Sequence, residues 1–439
     1  MFQTLANAFR NKEVRTKLLF TLLILFIYRV GCWIPVPGLD PGLLSGDTES
    51  VFDENSLLSL LNGITGDGLQ NGALLALGIS PYINASIIAQ LLTIAIPPIE
   101  RWTKQGDEGK RKMATFTRIL TVILAVVQAV GIVYSFFNAG YLTTTVFSVR
   151  VPDIVVCLLI GVVLVGGAVF TMWLGEKLTD LGIGNGISLL IFVGIISTAG
   201  LAMVSSITAW VDGDEMQPWY LLIFLVMVIF IFGFITFIDG AERKIPVSYA
   251  KQIKGRKQYG GQNTHIPIKV NASGVLPIIF ATSIITFPQL IMQMVGSTDN
   301  WWIRYVGTGT PVYFVLSGLL ILFFSYFYAM IQFKPDEIAR NLQQYGGFIP
   351  GIRPGKATAD YLNKVSKRLT LFGAIYLAII FIVPSILFSV LSMTLGFTSA
   401  LTNAFSSTGM LIVVSVALEF QKQLDNQLLM RQYKGFLKQ

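Results

Sequence analysis

The sequence has little charge for its length. Only 13% of its 439 residues are Asp, Glu, Lys or Arg, whereas 53% are hydrophobic. Soluble domains carry roughly 25% charged residues, so this composition argues against a water-soluble fold. Because a membrane-spanning helix needs about 20 apolar residues, the composition favours a polytopic membrane protein.

Cysteine and histidine are also scarce. A disulfide scaffold or a Cys/His metal site needs more ligands at closer spacing than Cys32 and Cys157 provide. Both cysteines lie within apolar runs, so we expect packed thiols and no metal site. The only histidine, His265, lies in a polar loop. A Ser-His or Cys-His dyad inside the membrane therefore has no candidate base, which excludes intramembrane proteases of that type.

Nucleotide-binding motifs are missing as well. The stretch 350–358 resembles a phosphate-binding loop, but Pro350 takes the place of its first glycine and Ala357 that of its metal-binding Ser or Thr. The stretch 182–187 has Ile187 where a dinucleotide fingerprint needs its third glycine. We therefore expect no cofactor and no catalytic residue, and any energy for work has to come from a partner or a gradient.

What the chain does contain is a series of long apolar runs. Ten of them are bounded by polar or Gly/Pro-rich breaks, which predicts ten membrane spans. Their approximate limits are 18–36, 73–97, 115–137, 152–174, 183–205, 218–238, 273–295, 312–333, 370–391 and 402–420.

The basic residues are distributed unevenly between the two sides of these spans. Of the 32 Lys and Arg residues, 28 fall in the two tails and in the even-numbered loops, whereas only Arg150 and Arg304 fall in the opposite loops. Since cytoplasmic loops retain Lys and Arg, we expect both termini in the cytoplasm. Arg29 lies within the first span, and we interpret it as an interface anchor that extends toward the outer surface.

Three stretches are longer than ordinary connections. The outer stretch 37–72 contains Leu57-Leu-Ser-Leu-Leu61 followed by several glycines, which indicates a short helix on a tether that either folds back into the protein or lies on the outer surface. The cytoplasmic loops 239–272 and 334–369 each carry seven basic residues. Loops this long are usually functional or disordered. Within the first of them, the pattern around 245–270 predicts a protruding hairpin with a basic tip.

Polar side chains inside the spans are few and mostly uncharged. Thr93, Gln128 and Asn271 lie in or at the end of the second, third and seventh spans, where such residues ordinarily join helices. The near absence of carboxylates at membrane depth argues against a secondary transporter coupled to protons or sodium, which is the alternative function that we consider.

Four stretches together resemble the SecY family of bacterial protein-export channels. They are GISPYINASIIAQLLT at 78–93, GIGNGIS at 182–188, KVNASGVLP at 269–277 and GFIPGIRPG at 347–355. The resemblance covers essentially the whole chain. It implies an all-α polytopic membrane protein with ten transmembrane helices in two inverted five-helix halves, a clamshell, and a short re-entrant plug helix. The division would be 1–17 cytoplasmic tail, 18–205 N-terminal half, 206–420 C-terminal half and 421–439 cytoplasmic tail.

The resemblance also assigns roles to individual residues. The ring that closes the pore would be Ile83, Ile87, Ile187, Ile191, Ile279 and Ile412. The polar cluster of the lateral gate would be Thr93, Gln128 and Asn271. The plug, at about 57–72, would include Leu57, Leu58, Leu60, Leu61, Gly63 and Gly66, and contacts with a motor or a ribosome would be made by Arg256, Lys257, Arg353 and Tyr433.

The partners and location follow from the same resemblance. It implies the small subunits SecE and SecG, the SecA motor, ribosomal RNA at the cytoplasmic loops, signal peptides, unfolded preproteins and membrane lipid. The implied function is a passive protein-conducting channel of the bacterial plasma membrane, which passes presecretory proteins across and releases hydrophobic segments sideways into lipid. ATP hydrolysis would belong to the motor and not to this chain.

Overall fold

Most of the described chain is helical. The computed structural model describes residues 8–39, 62–63, 65–103, 105–138, 140–143, 145–146, 149–150, 152–211, 218–249, 252–254, 257–259, 263–294, 301–307, 310–395, 401 and 404–436. Within these ranges the helices are α1 Lys12–Gly31, α2 Ser80–Ala95, α3 Pro97–Thr103, α4 Asp107–Asn138, α5 Asp153–Leu181, α6 Gly186–Val211, α7 Pro218–Asp239, α8 Leu276–Met294, α9 Trp301–Val306, α10 Pro311–Gln332, α11 Pro335–Gln344, α12 Lys356–Leu395 and α13 Ser407–Phe436.

Each of the ten predicted spans coincides with a helix. Six of them, α4, α5, α6, α7, α10 and α12, are long and apolar enough to cross a membrane. The other four are α1, α2, α8 and α13. Of these, α2 has only 16 residues, α1 carries charged residues in its first turns, and α13 carries them in its second half. The outward faces of the helices are strongly apolar, and on α7 the side chains of Phe230 and Phe237 are 74% and 77% exposed. A surface of this kind matches a lipid environment.

Local sequence explains where several helices begin and bend. The side chain of Asn11 caps α1 by accepting a hydrogen bond of 3.3 Å from the backbone N–H of Glu13. Proline occupies the first position of α7, α10 and α11, where its missing N–H costs no hydrogen bond. Pro288 and Pro384 lie inside α8 and α12, and prolines inside membrane helices are tolerated because neighbouring groups satisfy the freed carbonyls.

The chain divides into two compact units. The first unit comprises Met1–Leu222, Ser283–Tyr313 and Phe388–Gln439. In it α4 packs against α2 and α5, and α6 packs against α5 and α13. Glycines allow the closest approaches, because a side chain at Gly167 would collide with the carbonyl of Leu74 and one at Gly186 with the carbonyl of Gly175.

The two ends of the chain meet in this first unit. Ala8, Val14 and Leu18 at the start of the chain form a buried cluster with Ile183 and with Leu424 in the second half of α13. Since one small apolar cluster includes both tails, the two tails lie on the same side of the first unit. α13 is also continuous to Phe436, so the residues predicted as a C-terminal tail largely prolong the last helix.

The second unit comprises Ile223–Thr282 and Phe314–Leu387. It contains the strands β3 Glu242–Tyr249, β6 Asn263–Lys269 and β7 Gly347–Phe348, which form a sheet in the order β6-β3-β7. β3 pairs antiparallel with β6, with Glu242 opposite Lys269. A shorter hairpin, β4 Gln252–Lys254 with β5 Lys257–Tyr259, lies between them in sequence. The predicted hairpin is therefore confirmed. A further pair, β1 Thr145–Val146 with β2 Val149–Arg150, lies between α4 and α5 in the first unit.

Loops 239–272 and 334–369 share one apolar core. Side chains of the hairpin pack with residues of α11, β7 and α12 in a buried cluster made of Ile245, Val247, Ile268, Leu342, Ile349 and Leu362. We call the structure formed by β3, β6, β7, α11 and the start of α12 the platform. Of the two possibilities for such long loops, the described residues show order and not disorder.

Candidate functional site

Five of the six predicted ring isoleucines belong to the first unit. Ile83 and Ile87 lie one turn apart on α2, and Ile187 and Ile191 lie one turn apart on α6, so each pair occupies one helix face. Ile412 lies on α13, which packs against α6. Ile87, Ile191 and Ile412 are only 4% to 5% exposed, whereas Ile83 and Ile187 are half-buried.

The sixth isoleucine, Ile279, belongs to the second unit. It lies half-buried in the first turn of α8, next to the buried Ile278 and Phe280. Branched apolar side chains such as these offer no hydrogen bond to water or ions, which is the property that a constriction closing by dewetting requires.

Two of the predicted gate residues lie on packed neighbouring helices. Thr93 is half-buried near the end of α2, and its hydroxyl donates a hydrogen bond of 2.6 Å to the carbonyl of Gln90. Gln128 lies on α4, is 2% exposed, and has no hydrogen-bond partner for either side-chain amide atom among the described residues. Burying an unpaired amide costs about 1–3 kcal/mol, so Gln128 destabilises the packing of α4 by about this free energy.

The third gate residue is bonded within the second unit. Asn271 lies in the turn between β6 and α8, outside the helix itself. Its side-chain Nδ2 donates to Oδ1 of Asp239 at 2.9 Å, and the hydroxyl of Ser273 lies 3.5 Å from its Oδ1. The backbone of this turn approaches α12 closely, because a side chain at Gly373 would meet the carbonyl of Val270. Asp239 was not predicted as a site residue, since it lies 32 residues earlier in the sequence.

The predicted plug is described only in its second half. Leu57, Leu58, Leu60 and Leu61 lie outside the described residues. Gly63 has helical backbone, and Gly66 begins a tight turn in which Gly66 and Asp67 both have positive φ, +71° and +64°. Asp67 is the only non-glycine residue with this conformation in the described part of the chain. Non-glycine residues rarely adopt it, which marks the turn as held by its surroundings.

Side chains of residues 62–63 and 65–70, which together we call the turn 62–70, bind one another. Asn62 donates from Nδ2 to Oδ1 of Asp67 at 3.0 Å and to Oε1 of Gln70 at 3.2 Å. Its Oδ1 accepts the backbone N–H of Gln70 at 3.0 Å, and its backbone carbonyl accepts the Thr65 hydroxyl at 3.1 Å. Asn62 is only 8% exposed, so these bonds satisfy a buried amide.

The contacts of Arg29 contradict the prediction that its side chain is an interface anchor extending toward the outer surface. Its Nη1 donates to the carbonyl of Gly66 at 2.5 Å, and its guanidinium carbon lies 5.9 Å from the ring centre of Trp33. The guanidinium therefore turns toward the protein and contacts the turn 62–70. Burial raises the pKa of Asp67, while the charge of Arg29 and the hydrogen bond from Asn62 lower it. Hydropathy shows how deep in a span an arginine lies, but not whether its side chain points toward the protein or toward lipid. A single charge inside an apolar run is nevertheless a sign of function.

The predicted contact residues for a motor or ribosome belong to both units. Arg353 is exposed in the loop before α12, where its carbonyl accepts the hydroxyl of Thr358 at 2.9 Å. Lys257 lies at the start of β5, while Arg256 falls outside the described residues. Tyr433 lies in the last turns of α13. Arg353 belongs to the second unit and Tyr433 to the first.

Metal and thiol chemistry is limited. Within the described residues, no group of three His, Cys, Asp or Glu side chains is placed to hold a metal ion. Cys32 is fully buried and Cys157 half-buried, both as free thiols. What the described side chains offer is a set of branched apolar residues, a few buried amides and exposed basic residues.

Known proteins were compared with both the sequence and the fold. A family model described as SecY matches residues 73–421. Protein translocase subunit SecY from Streptomyces scabiei is 41% identical over 451 residues, and that from Bacillus licheniformis is 42% identical over 449, each alignment covering 100% of both chains.

Three solved structures share the fold. The structure of a protein-conducting channel has a TM-score of 0.67 at 19% identity. A SecY protein whose plug domain stabilises the closed state of the translocation channel and maintains a membrane seal has a TM-score of 0.61 at 18% identity. Sec61 in the canine ribosome–channel complex from the endoplasmic reticulum has a TM-score of 0.62 at 17% identity. Each alignment covers 93% of this chain and 91% of the other.

The fold is therefore that of the protein-conducting channels, a class of multi-pass membrane proteins, and the predicted fold class is confirmed. The full-length identity to translocase subunits narrows the assignment further. The chain belongs to the SecY family.

Proposed function

We propose that this chain is the pore-forming subunit of a protein translocase. The observation that carries the proposal is the full-length similarity to protein translocase subunits at about 41% identity, together with the channel fold. The chain would pass unfolded presecretory proteins across the membrane and release hydrophobic segments sideways into lipid. Ile83, Ile87, Ile187, Ile191, Ile279 and Ile412 would form the apolar constriction.

The location that we propose is the bacterial plasma membrane, with both termini in the cytoplasm. The joint burial of Ala8 and Leu424 supports the placement of both tails on one side. The shared core of the two long basic loops supports their placement on one side as well. The excess of Lys and Arg in these loops and tails gives that side its cytoplasmic assignment.

The plug and the gate are further parts of the proposal. Residues 57–72, including Gly63 and Gly66, would close the channel from the outer side, which agrees with the sealing role stated for the plug domain of a SecY protein with this fold. Thr93, Gln128 and Asn271 would set how hydrophobic a signal sequence must be to separate the gate helices. Modest hydrogen bonds are suited to this, because they change the balance between closed and open states by only a few kcal/mol.

The chain would work without a catalytic site of its own. SecE and SecG would be its small partner subunits, and either SecA or a ribosome would supply the work. Basic side chains at the platform suit both partners, because ribosomal RNA phosphates and acidic protein surfaces attract Lys and Arg. The structure of canine Sec61 in a ribosome–channel complex supports the ribosome as one of these partners.

The function is tested by reconstitution of the chain with SecE and SecG in lipid vesicles. We expect import of a presecretory protein only when SecA and ATP are present. Translocation without SecA or a ribosome would contradict a passive channel. Saturable uptake of one small solute tied to an ion gradient would instead support the alternative of a secondary transporter.

The docking role of Arg353 is tested with a charge reversal. Arg353→Glu should lower SecA-driven translocation at least about tenfold, because it reverses one exposed charge at the platform. Arg340→Glu is the matched control, since Arg340 is exposed on α11 of the same platform and bonds only the carbonyl of Asp336 in its own helix. An equal loss in both variants would show that overall platform charge matters and not this position.

A further inference from the structure

Arg29 makes the contact from α1 to the plug turn. Its Nη1 donates to the carbonyl of Gly66, and its other terminal nitrogen, Nη2, is buried without a hydrogen-bond partner in the described part of the chain. A guanidinium in this position is costly at membrane depth unless its surroundings use the charge. The charge of Arg29 also lowers the pKa of Asp67, the residue that follows Gly66, against the larger effect of burial.

The shape of the turn fits this contact. Gly66 has a φ of +71°, and a side chain there would meet Nη1 of Arg29 and the backbone of Gly194 on α6. The absence of a side chain therefore lets the Gly66 carbonyl reach the guanidinium. The rare positive φ of Asp67 follows directly in sequence, so two consecutive residues depart from ordinary backbone at the point of contact.

A second helix, α6, also holds this turn. The hydroxyl of Thr198 lies 3.2 Å from the carbonyl of Gly63 and 3.1 Å from the carbonyl of Gly194. The turn 62–70 is thus fixed at Gly63 by α6 and at Gly66 by α1, with Asn62 bonding Asp67 and Gln70 inside it. All of these residues belong to the first unit.

We propose that Arg29 is a positioning residue that latches the plug turn 62–70 onto α1 in the closed channel, and that breaking its bond to Gly66 is a required step of opening. This inference rests on the proposed function, because it takes residues 57–72 to be the plug. The latch is strong enough to hold the turn but weak enough to release. It consists of one charge-assisted hydrogen bond from Arg29 to Gly66, and most of the remaining bonds lie within the turn.

The latch is tested by hydrogen exchange on the full-length chain with its partner subunits in lipid nanodiscs. Arg29→Gln should speed amide exchange of residues 62–72 at least about tenfold, because the turn loses its charged donor. Arg29→Lys, which keeps the charge and one donor, should recover part of the protection. The matched control is Arg118→Gln, since Arg118 bonds Glu176 at 2.8 Å and does not contact the turn. Unchanged exchange in Arg29→Gln would overturn the latch.

Ion conductance in planar bilayers separates the latch from the plug. Faster exchange with a raised resting conductance supports both the latch and the plug assignment. Faster exchange with unchanged conductance supports the contact between Arg29 and Gly66. It overturns the role of that contact in opening and the assignment of residues 57–72 as the plug. Should Arg29→Gln fail to fold, Gly66→Ala provides the same test with the charge intact, because its methyl group would displace Arg29. Ordinary exchange and conductance in that variant would overturn the latch.

Discussion

The side-chain amide of Asn271 donates a hydrogen bond of 2.9 Å to the carboxylate of Asp239. This bond joins the turn before α8 to the last residue of α7, and it bridges both ends of the cytoplasmic hairpin. The start of α8 is therefore anchored by a side chain at the base of the platform. A residue predicted to act in the gate thus also fixes the hairpin that a partner would contact.

Replacing Asn271 by Leu should lower the hydrophobicity that a signal sequence needs. The change removes a donor to a charged acceptor, which contributes about 1.5–3 kcal/mol, and it loosens the entry of α8. We expect weak signal sequences to gain export relative to strong ones, measured as the ratio of two reporter precursors. Asp239→Asn should have a similar effect, and the double variant should be no worse than either single one. Fully additive effects would show that the pair does not act as a unit.

Replacing Gln128 by Leu should act in the opposite direction. The change removes two buried amide atoms that lack partners in the described structure and so stabilises the packing of α4 by about 1–3 kcal/mol. Weak signal sequences should therefore lose export by about tenfold relative to strong ones. Val126→Leu on the exposed face of α4 is the control. A fixed ratio of weak to strong export in Gln128→Leu would leave this residue with a packing role only.

Replacing Ile412 by Asn should make the resting channel leak. An amide in a tight apolar ring stabilises water, so the closed pore would hydrate and conduct ions. Single-channel recording is the measurement. Leu411→Asn is the matched control, because Leu411 is also buried and adjacent on α13 but is outside the predicted ring. Equal leakage from both variants would point to a general packing defect.

Replacing Leu362 by Ala should loosen both cytoplasmic loops together. Leu362 is fully buried in the platform core, and such a truncation costs about 2–5 kcal/mol. Limited proteolysis should then cut within 239–272 and within 334–369 at similarly increased rates. Tyr361→Ala changes a neighbouring, 36% exposed side chain and should have little effect. Cleavage of only one loop would contradict a shared core.

The turn 62–70 should become less stable as pH rises through the titration of Asp67. Because burial raises the pKa of Asp67 above its ordinary value of 3.8, the folded turn binds the proton more tightly than the opened turn. Its stability is therefore highest at low pH and falls between 3.8 and the raised value. Hydrogen exchange of 62–72, corrected for intrinsic rates, should show this slope in the wild type and lose it in Asp67→Asn. The peptides of α10, which contain no carboxylate, serve as the internal reference.

Features that depend only on local sequence were predicted well. Ten apolar runs predicted ten helices, because a span has to be long and apolar wherever it packs. The alternation around Ile245 and Ile268 predicted a hairpin, and the two residues pack in one core. The cytoplasmic placement of the basic loops, which rests on their excess of Lys and Arg, stays a prediction.

Features that depend on distant partners could not be predicted. The two-residue strand β7 pairs with β3 about 100 residues away, and a strand that short has no pattern of its own. Asn271 finds Asp239 only because the hairpin closes. Arg29 turns inward because Gly66 presents a carbonyl to it, a fact that the hydropathy of α1 does not contain.

The helix α12 is long enough to transmit a movement of the platform over a large distance. From Lys356 to Val383, before Pro384, the helix runs without a proline for about 42 Å, and it begins three residues after Arg353. A tilt of about 10° at its cytoplasmic end would displace the other end by about 7 Å. A partner that docks at the platform, as proposed above, would therefore act on a lever arm of about 42 Å and would not need to enter the membrane to move residues within it.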